Sequence, residues 1–268
     1  MSIKICIAGA TGWAGSALSK GVLKDPEIVL VSGISRSNAG KDLAEVLDIE
    51  APSVPVFGNI EEALEGPDFD ILFEFTKPGI AKHNVLQAIQ AGKNVILGTS
   101  GLSDADYSEI ETQVHSHDVS VLAVGNFAIT AVLLQKFAVM AAKYIPNFEI
   151  IDYASHSKPD APSGTTLELA KKLSEVQTSV DVVKDEDVIG YAGTRGEKIN
   201  GVRVHAVRLP SYMISVESIF GLSDERLTIR HDSGMGADPY VKGAILAIKK
   251  VNTFKGFKRG LDSVLDEE

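Results

Sequence analysis

From residue 3 to about residue 124, short runs of β-branched and apolar residues alternate with segments whose apolar positions recur at helical spacing. The best strand candidates are 3–8, 28–34, 71–75, 94–97 and 119–124, with a weaker one at 54–57. Between them Ala14, Leu18 and Val22, and later Val85, Ala88 and Ile89, form stripes suited to face a sheet. Strands that alternate with helices predict a parallel sheet covered on both sides, a doubly wound α/β unit. After Asn126 the texture changes to a long helix pattern over 129–144, a strand at 148–153, and a helix opening near Ser163 with Leu167, Ala170 and Leu173 in its apolar run. Three further runs, 202–207, 213–220 and 226–231, are separated by short turn-bearing connections without a helix, so they read as an antiparallel set. A last helix pattern at 240–251 is expected to return to the first unit. The expected organisation is a dinucleotide-binding domain over 1–126, with 240–268 returning to it, and a smaller α+β domain for substrate and oligomer contacts over 127–239, its sheet mostly antiparallel.

Composition narrows the function classes. The 268 residues are 44% hydrophobic and 23% charged, with no apolar run long enough to cross a bilayer and no charged-then-apolar leader at the start, which predicts a cytoplasmic protein with no membrane partner. The formal charge of −10 disfavours nucleic acid as a partner. One cysteine, Cys6 in the first strand, excludes an internal disulfide and a cysteine-rich metal site, and no metal is expected.

The run Gly9-Ala10-Thr11-Gly12-Trp13-Ala14-Gly15 follows the first strand and opens the first helix, which is the context a dinucleotide fingerprint requires. Gly9 suits the tight turn, Gly12 lets a pyrophosphate approach the backbone, and Gly15 lets helix and sheet pack closely. The first domain is therefore expected to be Rossmann-like. Where an NAD enzyme carries an acid after the second strand, this chain has Ser35, Arg36 and Ser37, a guanidinium between hydroxyls that suits a 2′-phosphate. NADPH is the expected cofactor, with NADH as the alternative. Phe75 and Thr76, then Gly98, Thr99 and Ser100, then Gly125, Asn126 and Phe127 fall after further strands, at the carboxyl edge where open α/β sheets bind ligands.

The segment Lys158-Pro159-Asp160-Ala161-Pro162-Ser163-Gly164-Thr165 joins an amine to a helix N-terminus, an arrangement that suits a carboxylate. The competing reading is an ordinary capped helix after a proline turn.

Taken in this order, the glycine turn, Glu74-Phe75-Thr76-Lys77-Pro78, Gly98-Thr99-Ser100-Gly101, Asn126-Phe127 and above all the 158–165 segment resemble the 4-hydroxy-tetrahydrodipicolinate (dihydrodipicolinate) reductase family over nearly the whole chain. The resemblance implies that Gly9 to Ala14, Arg36, Gly98 to Ser100 and Val124 to Phe127 bind the nucleotide. It implies that Gly164 and Thr165 bind a substrate carboxylate and that Lys158 donates the proton. It also implies reduction of a cyclic imine dicarboxylate in lysine biosynthesis, and a homotetramer built through the second domain's sheet, which fits the apolar 213–220 run. Arg203, His205 and His231 are candidates for a second carboxylate grip.

The resemblance marks this chain as a divergent member. The family's adjacent histidines fall on Ala154 and Ser155, and His156 lies one position beyond them. The stretch after His231 lacks the family's arginine. An imidazole titrating near about 6.5 suits proton transfer at neutral pH better than an amine does. Lys158 must then carry more of the chemistry, or His156 shares it, with Ser155 kept as a substrate contact. The alternative is a related enzyme acting on a different imine or amino dicarboxylate.

Overall fold

The computed structural model describes residues 2–234 and 236–265. They form two compact units, one comprising Met1–Ala128 and Ala237–Glu268 and the other Ile129–Gly236. Along the chain the first unit contains β1 (Ile3–Ala8), α1 (Trp13–Val22), β2 (Ile28–Ile34), α2 (Leu43–Leu47), β3 (Val56–Phe57), α3 (Ile60–Glu65), β4 (Ile71–Glu74), α4 (Pro78–Gln90), β5 (Asn94–Leu97), α5 (Asp104–Ser116) and β6 (Ser120–Ala123). The second unit runs through α6 (Ile129–Ala142), β7 (Asn147–Ala154), α7 (Gly164–Val176), β8 (Glu197–Ile199), β9 (Val202–Arg208), β10 (Ile214–Gly221) and β11 (Arg226–Ser233). The chain then re-enters the first unit with α8 (Asp238–Lys250) and β12 (Gly256–Arg259).

The first sheet has the order β12-β6-β5-β4-β1-β2-β3, and all its pairings are parallel. The order reverses beside β1, the topological switch of a doubly wound fold. Its core alternates with the pleat: Cys6, Ala8, Leu72, Val95, Leu97, Val121 and Ala123 meet Val85, Ala88 and Ile89 of α4 and Ile110 and Val114 of α5. In α1 the buried positions are Gly15, Leu18, Ser19 and Val22. Helix α8 lies on α1, where a Cβ at Gly21 would come within 2.3 Å of Val241 Cγ1, so glycine is what lets the two helices touch. The seventh strand, β12, lies outside the sequence expectation: four residues, Gly-Phe-Lys-Arg, are too few and too charged to stand out, and the charges suit an exposed sheet edge.

The second sheet is mixed, in the order β11-β10-β7-β9-β8, and antiparallel except between β7 and β9. The expected antiparallel set needs one correction. β10 pairs with β11, but β9 and β10 are separated by β7, which bonds to both. The 209–213 connection therefore steps across β7. Helices α6 and α7 cover one face, where Leu134, Ala138, Leu169, Ala170 and Leu173 meet Phe148, Ile150, Val204, Val216 and Phe220. Leu167, read from sequence as part of the α7 stripe, is 44% exposed; Thr166, Leu169, Ala170 and Leu173 form the inward row. No helix among the described residues is long and apolar enough to cross a membrane.

Candidate active site

In the first unit, the turns after β1, β2, β4, β5 and β6 all leave the carboxyl ends of neighbouring parallel strands, which brings the predicted nucleotide residues to one sheet edge. The glycine turn is shaped by its surroundings. Gly9 has φ +79°, and a Cβ there would stand 2.5 Å from the Phe75 carbonyl oxygen. At Gly15 a Cβ would lie 2.0 Å from the Gly9 carbonyl oxygen. Gly12 donates its N–H to Gly9 O at 2.9 Å and caps α1 without a side-chain hydrogen bond, which leaves the helix N-terminus for a ligand. A Cβ at Gly9 or Gly15 would strike backbone, so the turn is held tight by glycine, and its open helix N-terminus fits a pyrophosphate. Ala10 is buried, whereas Trp13 is 63% exposed and meets the Tyr240 ring edge-on at 5.8 Å.

At the end of β2 the side chains of Thr11, Ser35, Ser37, Asn38 and Lys41 form one polar network. Thr11 Oγ1 and Ser35 Oγ are 2.7 Å apart, Asn38 Nδ2 donates to both hydroxyls and to Ser37 Oγ, and Lys41 Nζ donates to Asn38 Oδ1. Arg36 is exposed beside it. The nearest following acid, Asp42, is turned away: its carboxylate caps α2 through the N–H groups of Ala44 and Glu45 and accepts from Ser53 and Val54.

The β4, β5 and β6 ends share an aromatic floor of Phe73, Phe75 and Phe127, with ring centroids 4.8 to 5.4 Å apart. A Cβ on Gly98 would come within 2.2 Å of the Phe75 ring and 2.8 Å of the Phe127 ring, so the floor requires glycine there. Val124 and Phe127 are buried, which leaves their backbone as what a ligand can meet, and Asn126 Oδ1 accepts from Ala128 N. Sequence reasoning gave no role to Glu74, which is fully buried at the end of β4. Its carboxylate accepts from Thr76 N and Asn84 Nδ2 at 2.7 Å, from Thr99 Oγ1 at 3.3 Å and from Thr76 Oγ1. Burial pushes its carboxyl above the ordinary range against the opposing pull of these bonds. Glu74 thus ties the β4 and β5 turns together, and the signal was present: an acid closing a buried strand, with threonine two residues on.

In the second unit, β7 delivers the 155–163 loop and α7. Ser163 is the N-cap of α7, its Oγ accepting from Thr166 N, as the sequence pattern implied. Lys158 Nζ is paired with Asp160 Oδ1 at 2.8 Å. His156 is exposed and is held by its backbone N–H to Leu209 O at 3.2 Å. Ala154 is fully buried in the sheet, whereas Ser155 is half-buried and its Oγ lies 2.9 Å from Ser157 Oγ. A buried alanine there leaves no titratable side chain at position 154.

The candidates for a second carboxylate grip are otherwise engaged. Arg203, only 2% exposed, donates to Asp181 at 2.7 Å and Asp185 at 2.6 Å. His205 is bound to Glu149 Oε2 at 2.7 Å. His231 is buried, with Nδ1 2.9 Å from Thr130 Oγ1, and burial pulls its imidazole below the ordinary value, with Asp232 opposing. The unfolded chain takes up this proton at a higher pH than the folded one. Stability from this residue is therefore present above about pH 6.5 and is lost as pH falls below it. In urea titrations at about pH 7.5 and 5.5, His231→Gln is expected to show a smaller acid-induced drop in midpoint than the parent; an equal drop would refute this role.

A seven-stranded parallel sheet with a glycine cradle at its switch point, followed by an α+β unit, defines a dinucleotide-binding fold of the Rossmann class. Residues 3–127 match the family model described as dihydrodipicolinate reductase, N-terminus, and residues 130–265 match its C-terminus, so the chain belongs to the dihydrodipicolinate reductase family. It is 33% identical over 264 residues to 4-hydroxy-tetrahydrodipicolinate reductase of Listeria monocytogenes serotype 4b (strain CLIP80459), covering 98% of this chain and 100% of the relative. The Bacillus pumilus enzyme of the same name is 34% identical, with 99% and 98% covered. The dipicolinate-bound dihydrodipicolinate reductase from Paenisporosarcina sp. TG-14 superposes with a TM-score of 0.89 at 29% identity, covering 99% of this chain and 100% of that one. An amine dehydrogenase from Mycobacterium smegmatis, with a TM-score of 0.68 at 12% identity over 96% and 95% of the two chains, shares the fold alone.

Proposed function

We propose that this chain is an NADPH-preferring reductase that converts 4-hydroxy-tetrahydrodipicolinate to tetrahydrodipicolinate in lysine (diaminopimelate) biosynthesis. The observation that carries this reading is the 158–165 segment, which joins a lysine amine to the capped N-terminus of α7 in a chain that matches the family over nearly its whole length. When bound, the cofactor supplies the hydride. Gly9 to Ala14, Ser35, Arg36, Phe75, Thr76, Gly98 to Ser100 and Val124 to Phe127 hold and orient it. Gly164 and Thr165 receive a substrate carboxylate at the helix N-terminus, Ser155 contacts the ring, and Ser163, expected from sequence to share the grip, instead caps the helix because its N–H and Oγ both donate to Asp152. Lys158 Nζ supplies the proton that balances hydride addition, the 4-hydroxyl of the substrate leaves as water, and His156 on the same loop is the second proton source. Nothing favours a different imine substrate, even with Ala154 and Ser155 in the histidine positions.

Preference for the phosphorylated cofactor is supported by the hydroxyl and amide network at the end of β2 and by an Asp42 committed to helix capping. Arg36→Ala is expected to weaken NADPH about tenfold to a hundredfold, the worth of charge-assisted phosphate bonds, while NADH binding is unchanged. Equal losses for both cofactors, read by fluorescence titration, would refute the phosphate role. A homotetramer is supported by the sheet face opposite α6 and α7, where Ile151, Val207 and Ile219 remain half-exposed.

Complementation tests the function. Expression of this chain should relieve the diaminopimelate requirement of a bacterium lacking its own reductase. Failure to do so at confirmed expression would count against the assignment.

A further inference from the structure

Asp152 is the one acid that β7 points into the helix-covered face, between Ile150 and Ala154, and all three are fully buried. A buried carboxylate is costly unless every lone pair finds a donor. Here Oδ1 accepts from Ser163 Oγ at 2.6 Å and Thr166 Oγ1 at 2.7 Å, while Oδ2 accepts from Ser163 N at 3.0 Å and Arg208 Nη2 at 2.7 Å. Burial opposes ionisation, yet the bonds from Ser163, Arg208 and Thr166 outweigh it and keep the carboxyl below its ordinary value.

Three of the four donors belong to the first turn of α7 and its cap. The fourth reaches back along the loop. Arg208 Nη2 also donates to the Asp160 carbonyl at 2.7 Å, and its Nη1 donates to the carbonyls of Val207 at 3.0 Å and Asp152 at 3.3 Å. Asp160 in turn holds Lys158 through its carboxylate. One buried acid thus fixes the end of the loop through Ser163 and, through Arg208, the loop backbone at Asp160, two residues after Lys158.

We propose that Asp152 and Arg208 are positioning residues that set the separation between the Lys158 amine and the carboxylate-binding N-terminus of α7. Asp152 is fully buried and the Arg208 guanidinium donates to Asp152, Val207 and Asp160, so both act through the loop. The inference rests on the functional reading above, because only a substrate gripped at one end and protonated at the other makes that separation matter.

Asp152→Asn replaces one acceptor oxygen by an amide that faces a donor. Displacements of this kind at a reacting centre cost about tenfold to a hundredfold. Asp152→Asn is expected to raise the KM for the imine, and the dissociation constant of dipicolinate used as a probe, by about that factor, and to lower kcat, with NADPH affinity unchanged. Asp152→Glu, which keeps both acceptor oxygens, should restore most of the loss. Thr166→Val removes one donor while leaving the Asp152–Arg208 pair intact; it should weaken dipicolinate in the same direction by a smaller factor.

A folded Asp152→Asn protein with a lowered melting temperature but parental KM and dipicolinate affinity would overturn the proposal, as would a glutamate variant no better than the asparagine one. If Asp152→Asn does not fold, unchanged dipicolinate affinity in Thr166→Val overturns it. A parent protein that binds dipicolinate but does not reduce the imine refutes the substrate assignment, while the dipicolinate titrations still decide the clamp. A parent that binds no dipicolinate overturns both.

Discussion

Lys158→Ala is expected to lower kcat by about a hundredfold to ten-thousandfold, the range for loss of a general acid, while leaving NADPH affinity unchanged. The neighbourhood of Lys158 separates this effect from a loss of stability. Its ion pair with Asp160 joins side chains that are 29% and 49% exposed, and such surface pairs are worth about 0–1 kcal/mol. A thousandfold loss of turnover corresponds to about 4 kcal/mol of barrier, so it cannot come from breaking that pair. Lys158→Arg sharpens the test, because a guanidinium keeps the charge but does not release its proton. It should keep KM near the parental value and lose kcat. If Lys158→Ala raises KM and leaves kcat intact, Lys158 binds substrate without donating the proton, and His156 becomes the leading donor.

Gly15→Ala should disable the nucleotide turn. A Cβ at this position would stand 2.0 Å from Gly9 O and 2.8 Å from Gly9 C, both backbone atoms that cannot rotate away. Overpacking costs about 1–3 kcal/mol where side chains can yield, and a backbone clash belongs at or above the top of that range. The turn must open, so NADPH binding falls with stability. Gly79→Ala is the control: nothing lies within 4 Å of a Cβ there, and alanine is compatible with the first turn of α4. Thermal melts with and without NADPH should give a large loss of both melting temperature and ligand-induced shift for Gly15→Ala, and neither loss for Gly79→Ala. A Gly15→Ala protein with a parental NADPH shift would contradict the cradle.

Features that rest on local periodicity were legible in the sequence: strands β1, β2, β4, β5 and β6, the glycine turn, and the Ser163 cap all announce themselves within a few residues. Features that depend on distant pairing were not. The position of β9 beyond β7 depends on which edge of β7 each strand chooses, and three consecutive β runs do not encode that choice. β12 is four residues long and acquires its identity only by pairing with β6. Within the site, Lys158, Ser163 and Gly164 were visible as a motif. Their supports, Asp152 and Arg208, are 56 residues apart in sequence and carry no motif. Arg203 read as a possible anion grip because its partners, Asp181 and Asp185, lie in a loop whose path the sequence does not indicate.

The central claim is reduction of the cyclic imine at the Lys158 segment. The measurement that meets it directly is loss of nicotinamide absorbance when the purified chain is mixed with NADPH and with imine generated in place from pyruvate and aspartate semialdehyde by the preceding synthase. The expected result is NADPH oxidation that requires the synthase and is lost in Lys158→Ala. No oxidation of NADPH or NADH with this imine, together with turnover of another imino acid, would contradict the account.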